Sequence, residues 1–80
     1  METNIVMHNA LSIIPGDVYV NVNGRVTCIF LSKEYTNYVD MGDRYKFTLM
    51  MVLKDGRLLI NAWDGYRPED CVFDNGWKKL

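Results

Sequence analysis

Residues 45 to 63 read YKFTLMMVLKDGRLLINAW. In an extended chain Tyr45, Phe47, Leu49, Met51 and Leu53 fall on one face and Lys46, Thr48, Met50 and Val52 on the other, a period of two that marks a β-strand. Lys54-Asp55-Gly56 then places a residue tolerant of positive φ beside a glycine, the chemistry of a tight hairpin turn. The chain returns through Arg57 to Trp63, with Leu58, Ile60 and Ala62 alternating with Leu59, Asn61 and Trp63. The stretch is therefore a β-hairpin. Apolar side chains occur on both of its faces, and a strand apolar on both sides is covered on both sides. Its outer face is expected to meet the N-terminal segment, a curled neighbouring strand or another protein chain.

Working outward, Asn23-Gly24, Asp64-Gly65 and Asn75-Gly76 repeat the same turn chemistry. Before the first of these, Val18, Val20 and Val22 alternate with Tyr19, Asn21 and Asn23, giving one apolar face and one that is amphipathic or polar. Arg25 to Leu31 follows, rich in β-branched residues and holding Phe30, and completes another hairpin. Between the two hairpins, residues 32 to 43 (SKEYTNYVDMGD) are polar, hold Tyr35 and Tyr38, and end at Gly42; this is the longest expected loop. Near the N-terminus Val6, Ala10, Ile13 and Ile14 fit helical spacing and Thr3 or Asn4 could cap, so the pattern predicts a short helix over residues 5 to 14 in preference to a strand or an extended arm. Pro15-Gly16 ends it, because a residue before proline is pushed out of the helical region. Pro68-Glu69-Asp70 predicts one helical or 3₁₀ turn, and Cys71 to Phe73 a brief closing strand.

With 80 residues the chain reads as a single domain over residues 1 to 80, an N-terminal helix or arm to residue 14 and a β core over 15 to 77. A domain of this size buries roughly 60% of the surface its unfolded chain exposes, so the core is small. A hydrophobic content of 49% is that of a chain that folds rather than one that stays disordered. The net charge of −1 removes the basic imbalance on which nonspecific phosphate binding depends. Leu49 to Leu53 is the longest apolar run, far short of the ~20 residues that span a bilayer. The N-terminus lacks the basic start and apolar stretch of a signal peptide. A cytoplasmic chain without membrane contact is expected.

The order of these elements resembles the SH3-like small β-barrel, a five-stranded fold whose last two strands are separated by one 3₁₀ turn. Pro15-Gly16-Asp17 opens a strand, a hairpin turn and a long polar loop follow, then a long hairpin, a single turn at Pro68 to Asp70 and a short final strand. The PGD opening followed by VNG is also similar to small SH3-like domains of translation and transcription proteins and to short barrel proteins encoded by tailed phages. The resemblance covers residues 15 to 77. It implies a mainly β fold, either a five-stranded SH3-like barrel or a strongly bent antiparallel sheet, with the N-terminal helix or arm attached. The closing turn here, PEDCVF, has no tyrosine where peptide-binding SH3 domains carry one, so the resemblance brings fold and no functional residue.

The side chains that do chemistry are sparse. His8 is the single histidine and has no carboxylate or nucleophile that the sequence can assign to it, which makes it a surface or packing residue. Cys28 and Cys71 lie far apart with no second Cys or His beside either, so the paired-ligand spacing of a structural zinc site is missing. Both read as small core hydrophobes, an inter-strand disulfide being the alternative. There is no phosphate-cradling Gly-rich loop before a helix. Asp64, Glu69, Asp70 and Asp74 lack the one-residue alternation of a calcium loop and read as a solvated acidic edge that discourages sheet-edge pairing. No enzyme activity, metal or cofactor is expected.

Binding is the remaining class. Ten aromatics and five methionines in 80 residues exceed what a small core buries, and aromatics, Met and Arg are the types enriched in interface cores. Trp63, Tyr66, Arg67, Tyr35, Tyr38 and Trp77 are the candidate partner-binding residues, set against the plainer reading in which Trp63 and Trp77 cap the core and Tyr66 packs over a turn. A protein partner, with self-association through the apolar outer face of residues 45 to 63, is the first expectation. A phage- or mobile-element-encoded inhibitor or accessory protein would suit so short a chain. The alternative is a nucleic-acid or nucleotide-binding barrel using Arg25, Arg44, Lys46 and Arg57, with exposed Tyr19 or Tyr45 stacking on bases.

Overall fold

A computed structural model describes residues 8 to 21 and 23 to 80. Seven strands run in chain order: β1 (His8–Asn9), β2 (Val18–Asn21), β3 (Val26–Tyr38), β4 (Gly42–Leu53), β5 (Leu58–Tyr66), β6 (Cys71–Phe73) and β7 (Trp77–Lys79). Five of them form one antiparallel sheet in the order β5-β4-β3-β2-β7, and β1 pairs with β6 in a two-stranded sheet. The fold is mainly β, as the alternation requires. Among the described residues the end strands β5 and β7 do not pair with each other, so the larger sheet is open and not a closed barrel.

Two corrections concern the segments between the hairpins and before them. Residues 8 to 14 form the short β1 and a set of turns and not a helix; residues 5 to 7 and the candidate caps Thr3 and Asn4 lie outside the described residues, as does Val22. Tertiary pairing overrides the helical spacing here. Beyond β1, Ala10 donates its N–H to the Asp70 carbonyl at 2.9 Å and Leu11 to the Pro68 carbonyl at 3.0 Å, which ties the segment to the far end of the chain. The stretch expected as the longest loop is a ribbon: β3 runs on to Tyr38 and β4 starts at Gly42, leaving Val39, Asp40 and Met41 as the turn. Gly42 at φ +76° is the left-handed residue that such a three-residue turn needs. Polar side chains on both faces suit a ribbon wetted on both faces, and Tyr35 and Asn37 of β3 reach across it to the Asp43 carboxylate of β4.

Register fixes which face each side chain occupies, because directly opposed residues point to the same side. Tyr19, Cys28, Met51 and Leu59 form one row across β2 to β5, and Phe30, Leu49 and Asn61 the next. This side is covered by β1, β6 and residues 10 to 13, and the core of Ala10, Ile13, Tyr19, Cys28, Phe30, Phe47, Leu49 and Phe73 lies between the layers. Edge-to-face and tilted rings knit it: Phe73 stands 4.6 Å from Tyr19 and 5.8 Å from Phe30, and Phe30 stands 5.2 Å from Phe47. Extents of 42 × 40 × 16 Å leave room for these two layers only.

The Pro15-Gly16 corner sets where the covering layer joins the sheet. Asp17 donates its N–H to the Ile14 carbonyl at 3.1 Å across a turn whose third residue, Gly16, has φ +95°. The buried Asp17 carboxylate accepts the Ile14 N–H at 3.0 Å and faces Lys79 Nζ at 3.5 Å. From the ribbon side, Lys33 Nζ donates to the Leu11 and Ile13 carbonyls at 3.0 and 2.8 Å and sits 4.4 Å above the Tyr45 ring. Burial holds this ammonium below its ordinary pKa, with the Asp17 charge opposing that shift.

Candidate protein-interaction surface

Three of the six candidate binding residues pack into the molecule. Trp63 lies on the core side of β5, 5.9 Å from Phe73 and 6.4 Å from Phe30; Trp77 lies 4.7 Å from Phe73; Tyr66 lies 5.9 Å from Phe47. Tyr66 gets there by a bulge. Tyr45 opposes Tyr66 and Phe47 opposes Trp63, so Asp64 and Gly65 together face Lys46 alone. Asp64-Gly65 is thus a bulge within β5 and not the tight turn expected of it, with Gly65 at φ +86°. Burial pushes the Tyr66 phenol up, helped by the Asp70 charge.

The other three line the outside. Tyr35 and Tyr38 are exposed on the ribbon. The Tyr35 hydroxyl donates to Asp43 Oδ1 at 2.6 Å, a bond that raises the phenol pKa and, together with Asn37 Nδ2 at the same oxygen, lowers that of Asp43. Arg67 borders an open groove of about 310 Å³ with Met41, Asp43, Arg44, Pro68 and Glu69. The ribbon tip and the turn before β6 therefore lie side by side along this groove. That turn is a single reciprocal one: Arg67 donates its N–H to the Asp70 carboxylate at 2.8 Å and Asp70 donates its N–H to the Arg67 carbonyl at 3.0 Å.

The four basic candidates do not converge. Arg44 and Lys46 lie near the start of β4, whereas Arg57 follows its far end and Arg25 precedes β3. At ~3.3 Å per strand residue, Arg44 and Leu53 are about 30 Å apart. Arg57 is held by Asp55 at 2.7 Å, and Arg44 donates to the Met41 and Asp43 carbonyls. Tyr19, expected as an exposed stacking ring, is buried at 2% exposure because the amphipathic face of β2 and not its valine face turns to the core. Tyr45 is half-buried under Lys33.

Cys28 and Cys71 are free thiols, one buried and one exposed. Burial pushes the Cys28 thiol up to about 11. Cys71 does not enter the core; its Sγ donates to the Phe73 carbonyl at 2.8 Å. His8 is buried, edge-on to Tyr19 at 4.9 Å. Among the described residues no group of three or more Cys, His, Asp and Glu could hold a metal ion, and no helix is long and apolar enough to cross a membrane.

A continuous apolar surface lies on the side of the sheet away from the core. Val18, Ile29, Met50 and Ile60 oppose one another in register across β2, β3, β4 and β5, and Val20, Thr27, Val52 and Leu58 form the neighbouring row. Among the described residues no element covers these rows. Val18, Val20, Ile29, Met50 and Val52 are half-buried, while Leu58 and Ile60 are 60% and 63% exposed. Sequence alternation located the β4 and β5 members, but not the β2 and β3 members, whose apolar side chains are equally suited to the core. Compared with protein-family models, curated proteins and solved structures, the chain matches none of them.

Proposed function

We propose that the chain acts by binding another protein chain and not by catalysis, with the outer face of its five-stranded sheet as the contact surface. The observation that carries this reading is the unbroken apolar row Val18, Ile29, Met50 and Ile60 beside Val52 and Leu58. Monomeric soluble proteins seldom leave large contiguous apolar patches in water, and those they do leave mark contact sites. Packing of Trp63, Trp77 and Tyr66 against the core supports moving the surface from that corner to the sheet face. The strand order and the single turn between Arg67 and Asp70 are in keeping with an SH3-like arrangement of strands.

The test is capture of proteins from the native host with the intact chain and with Met50→Lys and Ile60→Lys. The wild-type chain is expected to retain a defined protein, identified and then titrated in purified form, and each lysine variant to weaken that titration at least tenfold while its thermal melt stays cooperative. Oligonucleotide binding that falls steeply with salt and is lost in Arg44→Ala would instead establish the nucleic-acid reading.

A further inference from the structure

We propose that β5 (Leu58–Tyr66) is a dimerisation edge, along which two copies pair antiparallel about a two-fold axis at Ile60 and join their five-stranded sheets into one. The inference rests on the reading that this chain works through protein contact and adds a second copy, held at the edge of the sheet and not on its outer face.

The two edges of the sheet differ in kind. At one end β7 is three residues long and carries Lys78 and Lys79, the short and charged form in which exposed edges are kept from pairing. At the other end β5 is nine residues long, and residues 58 to 63 (LLINAW) contain neither a charge nor a proline. Its inner side pairs with β4, and its outer side has no partner strand among the described residues. Leu58, Leu59 and Ile60 are 60%, 44% and 63% exposed. Unpaired backbone N–H and C=O groups flanked by exposed aliphatic side chains call for another strand in particular.

The identity of that strand follows from symmetry. Opposed residues of an antiparallel pair share a face, so a two-fold axis normal to the sheet sets a residue opposite its own copy. With the axis at Ile60, Leu58 opposes Ala62 and Leu59 opposes Asn61 in both directions, and no like charges meet. Asp64 and the Asp55 and Arg57 pair stay outside the segment. The apolar row Val18, Ile29, Met50 and Ile60 then continues straight into the same row of the second copy. A copy of β5 thus meets the charge and parity requirements of β5 itself, and the contact doubles the apolar face.

The test uses the full chain in a Cys71→Ser background, so that the exposed native thiol is silent. Equilibrium sedimentation is expected to give a dimer, and Leu59→Lys, which points a charge along the edge without adding one to the outer face, is expected to give a folded monomer by circular dichroism. Under mild oxidation Ile60→Cys is expected to form a covalent dimer, because directly opposed strand residues stand within disulfide reach; Thr48→Cys, one strand further in, is expected to stay monomeric. A wild-type chain that sediments as a monomer overturns the proposal. So does a dimer that crosslinks through Met50→Cys and not Ile60→Cys, since that pattern means face-to-face packing. A monomer that still binds an identified protein through Met50 and Ile60 overturns the dimer alone and leaves the protein-binding reading standing.

Discussion

Cys28 and Cys71 share a side chain and nothing else, which makes them residue-scale probes of the fold. Cys28 is fully buried and its thiol is pushed up to about 11 from an ordinary 9.0, whereas Cys71 is exposed. Native protein is expected to give one fast-reacting thiol per chain with a thiol reagent and two after denaturation, a difference that thiolate availability and access both favour. The pH dependence has a definite sign. A thiol held protonated by the fold contributes stability in full below 9.0, the pKa it regains on unfolding, and loses that contribution as pH rises toward about 11. Tyr19 and Tyr66, raised first by burial and then by Asp17 and Asp70 respectively, act in the same direction. Thermal melts from about pH 8 to about pH 11 should therefore show a falling Tm, with a shallower fall in Cys28→Ala. The sequence placed Cys28 in the core correctly. It misplaced Cys71: alternation sets it on the face of the buried Phe73, but it lies at the bulge where β6 meets β1, a pairing that its own neighbours do not encode.

Among the elements, β5 carries a left-handed residue within its own length. Gly65 at φ +86° takes the extra residue opposite Lys46, and the bulge returns Tyr66 to the core side against Phe47. A β-carbon there meets no atom within 4 Å, so Gly65→Ala is strained by its backbone alone. The expected cost is about 1–2 kcal/mol, or a Tm drop of roughly 4–8 °C per kcal/mol in a domain of this size, measurable by calorimetry. Asp-Gly was legible as a site of positive φ, but a turn and a bulge need the same residue type. Only the strand continuing past it separates the two. The ribbon of β3 and β4 teaches the same lesson, since residues 32 to 43 have loop composition and still form a paired ribbon on either side of the turn at Val39 to Met41.

On the scale of the whole molecule, a thin two-layer fold encloses one core and, among the described residues, leaves the far side of its sheet uncovered. Pairing through β5 would make apparent stability depend on mass action, so Tm is expected to rise with protein concentration in the wild type and to be independent of it in Leu59→Lys. Calorimetry over a hundredfold concentration range checks this. The sequence by itself determined the two hairpins, the Pro15-Gly16 corner and the apolar character of both faces of residues 45 to 63, because turn chemistry and period-two alternation act over a few residues. Tertiary structure alone decided that β1 lies against β6 and not in a helix, that Tyr19 and not its flanking valines faces the core, and that Trp63 and Trp77 pack inward. Each of these is a choice between two faces or two partners that are locally equivalent, and only the arrival of a distant strand breaks the tie.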